Sequence, residues 1–241
     1  GFDRRLKPEW LDFLSAKIIE EESETDIKQS LKALIEREIS GKESVSKTIT
    51  VLMRIWYSIP DDDKDLLERA KKLLETVSPE ERIWIHWGLI ILRYPFVRKV
   101  SEVIGRLTDL KESVSSNEIK NRIVELWGDR YTVKRMIQMV TKTMENFEFV
   151  KIVNQRPYNI FERLPKKTTY NIPLKNWIVE ILLKSGESHI IPLEEIPRQY
   201  CLFPFEIDIS YTDIYNNDKL EIIREGISQT FVGLKKNKHI Q

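Results

Sequence analysis

The chain has 241 residues, 39 Lys and Arg against 38 Asp and Glu, a formal net charge of +1, and is 41% hydrophobic and 32% charged. This composition excludes wholesale disorder and a fibrous fold, and argues against a uniformly basic, histone-like nucleic-acid binder. The length suits two or three modules, each with its own core.

One cysteine, Cys201, excludes an intramolecular disulfide, and the three histidines, His86, His189 and His239, assemble no zinc-ligand spacing. A reducing, cytoplasmic location is the expectation. Gly1 and Phe2, without an initiator Met, are expected to follow a removed tag or a truncation. The longest apolar run, residues 83–92, is about half the ~20 residues needed to span a bilayer and is broken by His86 and Gly88. It reads as a buried helix, and no membrane partner is expected.

Residues 7–93 carry apolar positions at three-four spacing that predict five consecutive amphipathic helices. Pro8 suits a first helical position before Leu11, Leu14 and Ile18, and the second helix carries Ile27, Leu31, Leu34, Ile35 and Ile39 up to Gly41. A third, with Val45, Ile49, Leu52, Met53 and Trp56, precedes Pro60. Asp61, Asp62 and Asp63 lie at the positive end of a fourth built on Leu66, Leu67, Ala70, Leu73 and Leu74. Ser78-Pro79-Glu80-Glu81 has the capping-box spacing and launches the fifth, which is apolar on nearly all sides and is therefore expected at the centre.

Tyr94-Pro95 marks a boundary, because the residue before proline avoids the helical region. Beyond it come a helix with Val97, Val100, Ile104 and Leu107, a polar stretch over 111–116, and a second helix with Ile119, Ile123, Leu126 and Trp127 that opens on the capping box Ser115 to Glu118. Gly128 closes that helix. A third helix follows three residues later with Val133, Met136, Ile137, Val140 and Met144 on its apolar face, and residues 147–153 and 159–164 read as strands. Helix, helix, short turn, helix and hairpin is the order of a winged helix-turn-helix. Past Pro173, one amphipathic helix and the alternating segments at Phe205, Ile207 and Ile209, at Leu220 and Ile222, and at 230–234 suggest a small mixed module. The expected fold class is therefore mostly α, of α+β type: a helical bundle over 1–93, a winged helix-turn-helix over 94–170, and a small α/β module with a basic tail over 171–241.

The charge is uneven. From Arg130 to Lys167 nine Lys or Arg face three acids (Glu145, Glu148 and Glu162), a local excess of +6 that leaves −5 for the rest. A basic middle in an acidic frame is the footprint that phosphates select. On the third helix of this unit the core stripe leaves Lys134, Arg135, Gln138, Thr141 and Lys142 outward. Arg135 and Gln138 are candidates for guanine and adenine edges, and Arg130, Lys134 and Lys142 for phosphates. Arg156 and Tyr158 at the hairpin turn, with Lys151, Arg163, Lys166 and Lys167 beside it, would form a basic wing. The plain alternative is a solvated helix face, or a winged helix that docks only protein.

Signals for an enzyme dissolve. Gly41-Lys42-Glu43-Ser44 lacks the glycine five residues earlier that a phosphate loop needs, since Glu36 stands there; Asp61, Asp63 and Asp65 begin a calcium-loop spacing that Leu66 and Lys72 break. His86 reads as a core imidazole, Cys201 as a core thiol, and Trp56, Trp84, Trp87, Trp127 and Trp177 as core aromatics. No catalytic residue, cofactor or metal is expected.

The helical first half, the central winged-helix order and the block Leu202-Phe203-Pro204-Phe205-Glu206-Ile207-Asp208-Ile209 together resemble the BrxA family over roughly residues 6–234. The resemblance implies a bacterial cytoplasmic component of the BREX bacteriophage-exclusion systems, a first half similar to the antitermination factor NusB, and DNA binding without known catalysis. It assigns no site residue. The expectation is a double-stranded DNA-binding protein with other defence-system proteins as partners. The alternatives are an interaction scaffold in a larger assembly and an RNA-binding protein similar to NusB.

Overall fold

The computed structural model describes residues 1–226 and 229–235. Five helices open the chain: α1 (Pro8–Ile19), α2 (Glu24–Ile35), α3 (Lys42–Trp56), α4 (Lys64–Thr76) and α5 (Arg82–Arg93). Their number and positions follow the hydrophobic periodicity. The second differs in length: it ends at Ile35, and residues 36–38 form a turn from which the Ile39 amide returns to the Ile35 carbonyl at 2.9 Å. Ile39 keeps a core contact without being helical.

The fifth helix is central. Every residue from Trp84 to Ile91 is buried. His86 is satisfied inside it: Trp56 Nε1 donates to His86 Nδ1 at 3.2 Å, which leaves the ring proton on Nε2, 3.0 Å from Asp12 Oδ1. Three helices, α1, α3 and α5, are thereby pinned by one polar relay.

Next come α6 (Pro95–Leu110), β1 (Ser113–Ser115), α7 (Ser116–Trp127), α8 (Tyr131–Asn146), β2 (Val150–Val153) and β3 (Ile160–Arg163). The three strands form an antiparallel sheet in the order β1-β3-β2, with Phe161 opposite both Val114 and Ile152. Strand β1 lies inside the stretch read from sequence as merely polar. It has three residues and one apolar side chain, too little for a period-two signal, and exists because β3 pairs with it. Trp127 departs from expectation as well: it is 40% exposed, touching Phe96 edge to face at 5.1 Å. It occupies the last turn of α7, where the core stripe has already rotated away.

The remainder holds α9 (Ile172–Ser185), β4 (Ile190–Pro192), 3-10 turns over Leu193–Arg198 and Tyr200–Leu202, α10 (Tyr211–Tyr215), β5 (Leu220–Glu225) and β6 (Gln229–Leu234). The second sheet runs β4-β6-β5, all antiparallel, with Leu220 opposite Leu234 and Ile222 opposite Val232, the pairing anticipated from the alternation. Phe205, Ile207 and Ile209 alternate inward as expected, but they form no strand. Their burial comes from lying on the core, and the only backbone ladder there is a bridge in which the Lys167 amide donates to Pro204 O at 2.8 Å and the Glu206 amide to Lys167 O at 2.9 Å. Most of the expected basic tail, residues 236–241, lies outside the described residues.

Helix α9 buries ten consecutive residues from Leu174 to Leu183 and lies against α4 and α5. The approach to α5 is close enough that a Cβ on Gly88 would meet the Trp177 ring at 2.6 Å. The protein is thus mostly helical with two small antiparallel sheets, an α+β arrangement. No helix among the described residues is long and apolar enough to cross a membrane.

Candidate nucleic-acid interface

Local chemistry places α7 and α8 first. Ser115 and Glu118 form the anticipated capping box: Ser115 Oγ accepts from the Glu118 amide at 3.2 Å, and Glu118 Oε2 accepts from the Ser115 amide at 2.9 Å. A Lys111 ion pair and the Ser115 amide hold the Glu118 carboxyl down to about 2. Gly128 then ends α7 at φ +83°, a left-handed value that favours a residue without Cβ, and sends the chain into α8 after three residues.

Two contacts seat α8 on the body of the protein. An aromatic chain runs from Phe147 to Trp87 (5.9 Å), Trp87 to Phe149 (4.9 Å), Phe149 to Phe205 (5.4 Å) and Phe205 to Trp84 (4.3 Å), joining α5 to the α8–β2 connection and to the 203–206 block. On its other flank, the Leu6 amide donates to Thr143 Oγ1 at 3.0 Å and Asn146 Nδ2 donates to Leu6 O at 2.8 Å. Phe2 is buried against Tyr94 with ring centroids 5.1 Å apart. Met139 and Thr143 are buried besides the apolar stripe, so α8 hides a wider arc than that stripe suggested.

What α8 leaves free faces a groove of about 610 Å³ between the start of α7, α8 and the β2–β3 hairpin. Lys134, Arg135, Gln138, Thr141, Lys142 and Tyr158 all line it, which brings together six of the twelve residues singled out from sequence. Two of the six need correction. Thr141 is buried at 4% exposure and donates to Gln138 O at 3.2 Å, so it belongs to the groove floor rather than to an outward face. Lys134 is engaged by Asp129 at 2.6 Å; the acid lies one residue before the basic segment that begins at Arg130.

The other six lie elsewhere. Arg130 is exposed beside Gly128, at the entry to α8, and Arg156 is exposed at the hairpin tip, where the Arg156–Pro157 bond is cis. Lys151 precedes Ile152 in β2; Ile152 lines the groove, so the period-two rule turns Lys151 to the opposite face, where it meets Glu162 at 3.9 Å. Arg163 meets Asp109 at 3.9 Å. Lys166 and Lys167 are beyond β3, the latter stitched by its backbone to the 204–206 segment. None of the five cations of the expected basic wing lines the groove, and two of them, Lys151 and Arg163, lie beside acids.

Sequence reading missed Lys120, Asn117, Tyr131, Asn154 and Asn159, all of which line the groove. Helical spacing within α8 could have suggested Tyr131; the others come from different elements and only tertiary contact gathers them. Glu145 is the single acid among the lining residues, and Arg135, Lys142 and Lys120 have no ion-pair partner among the described residues.

Burial pushes the Cys201 thiol up to about 12, which removes the thiolate that nucleophilic work requires. Among the described residues no group of three or more His, Cys, Asp or Glu side chains could hold a metal ion. No family model, no curated protein and no solved structure matches the chain.

Proposed function

We propose that the chain is a non-catalytic protein that binds double-stranded DNA, with α6, α7, α8 and the β2–β3 hairpin acting as a winged helix-turn-helix. The observation that carries this reading is the outward side of α8, where Arg135, Gln138 and Lys142 stand side by side over a groove with a single acid. Their chemistry matches base edges and phosphates. Further support comes from the element order α6-β1-α7-α8-β2-β3, the three-residue turn before α8, and the sheet order β1-β3-β2. On this reading Arg135 and Gln138 address base edges, Lys142 and Lys120 phosphates, and Lys134 acts only after releasing Asp129. The resemblance to the BrxA family supplies a setting, an accessory component of a bacterial phage-defence system that works beside other proteins of that system.

The test is electrophoretic mobility or fluorescence anisotropy with a labelled duplex at low salt. Arg135→Glu combined with Lys142→Glu is expected to remove binding and leave thermal unfolding unchanged. Wild-type affinity should fall steeply as salt rises, because each phosphate contact releases a counterion. Retained binding by the double variant rejects the assigned face.

One observation favours an interaction scaffold as a second reading. Between α6 and α7 a groove of about 400 Å³ exposes Leu110 at 77% and Leu126 at 58% within a charged rim. Failure of the wild type to bind any duplex at low salt would move the conclusion there.

A further inference from the structure

Part of the lining of the groove beside α8 is chemistry that a fully paired duplex does not use. Besides Thr141 its floor holds Ile119, Ile137, Ile152 and Phe161, and a phosphate gains nothing from such apolar side chains. Two tyrosines border it from different elements: Tyr131, 77% exposed, from the first turn of α8, and Tyr158, 46% exposed, from the hairpin. Two exposed aromatic rings beside apolar side chains make a surface on which a flat partner can stack. Around them Asn117, Asn154 and Gln138 offer both amide donors and carbonyl acceptors, and Arg135 and Lys142 supply positive charge at the rim.

The set of chemistries matches one ligand fragment. A nucleobase has two apolar faces for the floor and the rings, a polar edge for the amides, and a phosphate attached for the cations. Bases in an intact duplex offer only their edges, because stacking hides their faces. The volume of about 610 Å³ falls in the range of about 300–1,000 Å³ typical of sites that enclose a small molecule.

We propose that this groove seats one unstacked nucleobase of a DNA strand, so that the protein prefers a duplex with an unpaired nucleotide to a perfectly paired one. The inference rests on the DNA-binding reading and deepens it: α8 and the rim cations hold the backbone, and Tyr131 and Tyr158 hold the displaced base. Tyr158 is the specificity determinant, since the hairpin places it across the groove from α8.

The test compares three labelled duplexes of one sequence by anisotropy: fully paired, carrying a single bulged thymidine, and carrying an abasic bulge at the same position. The bulged duplex is expected to bind about tenfold more tightly than the paired one, the gain expected for one base on an aromatic ring. The abasic bulge should lose that gain, which separates base recognition from mere flexibility. Tyr158→Ala and Tyr131→Ala should each reduce the ratio of bulged-duplex to paired-duplex affinity. Tyr158→Phe should retain it, and Tyr170→Ala, at a tyrosine 94% exposed outside the groove, should change nothing. Equal affinity for bulged and abasic duplexes, or a preference that survives Tyr158→Ala, overturns the proposal and leaves duplex binding standing. Absence of binding to all three duplexes overturns both.

Discussion

Helices α8 and α9 both carry polar residues along an apolar scaffold, yet they deal with them in opposite ways. In α9 the two buried charges and the amide nitrogen of Asn176 have partners, although Asn176 Oδ1 and Ser185 Oγ have none. Glu180 receives Arg69 through two hydrogen bonds of 2.6 and 2.7 Å, Lys175 Nζ donates to Asp208 O at 2.6 Å, and Asn176 Nδ2 donates to Asp213 O at 2.9 Å. In α8 the exposed cations Arg135 and Lys142 have no ion-pair partner among the described residues, and their surroundings are a groove rather than a neighbour. The contrast teaches which polar groups hold the fold and which are free to bind. A buried charge left alone costs more than the about 1–3 kcal/mol of a neutral group, so α9 pairs Glu180 and Lys175; an exposed one costs almost nothing until a ligand arrives.

Substitutions on each helix can break that contrast. Trp177→Ala in α9 removes the ring that Gly88 was left bare to admit, and should destabilise the protein by about 3–5 kcal/mol in chemical denaturation. Glu180→Ala should cost about 2 kcal/mol, because it leaves Arg69 without its bidentate carboxylate. A loss within error for either would mean that α9 does not hold the core through these two side chains. Arg135→Glu with Lys142→Glu in α8 should instead stay within about 0.5 kcal/mol of the wild type in stability, whatever it does to affinity. A large destabilisation there would show that those cations hold the fold.

Smaller effects should come from the cap that positions α7 beneath the groove. Ser115→Ala removes one half of the capping box and should cost about 1 kcal/mol, read as a shift in the denaturation midpoint. The other half is sensitive to pH. With the Glu118 carboxyl lowered from 4.5 to about 2, its contribution is complete above about pH 4.5 and is lost as the pH falls toward 2. Its side chain is 40% exposed, so solvent screening keeps the effect small. Stability profiles of the wild type and Glu118→Gln should therefore converge on acidification, and parallel profiles would refute the pairing.

The sequence disclosed much of the scaffold. Five helices before Tyr94, the three that follow, both capping boxes of that stretch and the pairing of β5 with β6 were all legible, because periodicity, caps and turn residues act within a few positions. One side of the candidate site was legible for the same reason: α8's spacing put Arg135, Gln138 and Lys142 together. Strand β1 was hidden, since a three-residue strand derives its identity from β3, and Lys151 was misplaced because its direction depends on which sheet face meets α8.

Helical spacing and charge, properties of neighbours in the chain, were enough to say that a cationic helix stands near the middle of a mostly helical protein. They say nothing about what lies beside that helix. Tertiary contact decided that Thr141 sinks into a floor, that Asp129 claims Lys134, and that Tyr158 comes to border a groove beside α8. The reason is one of distance: caps and helical faces form between residues up to about four positions apart. A concave site needs side chains from several elements, and only the packed core determines which of them meet.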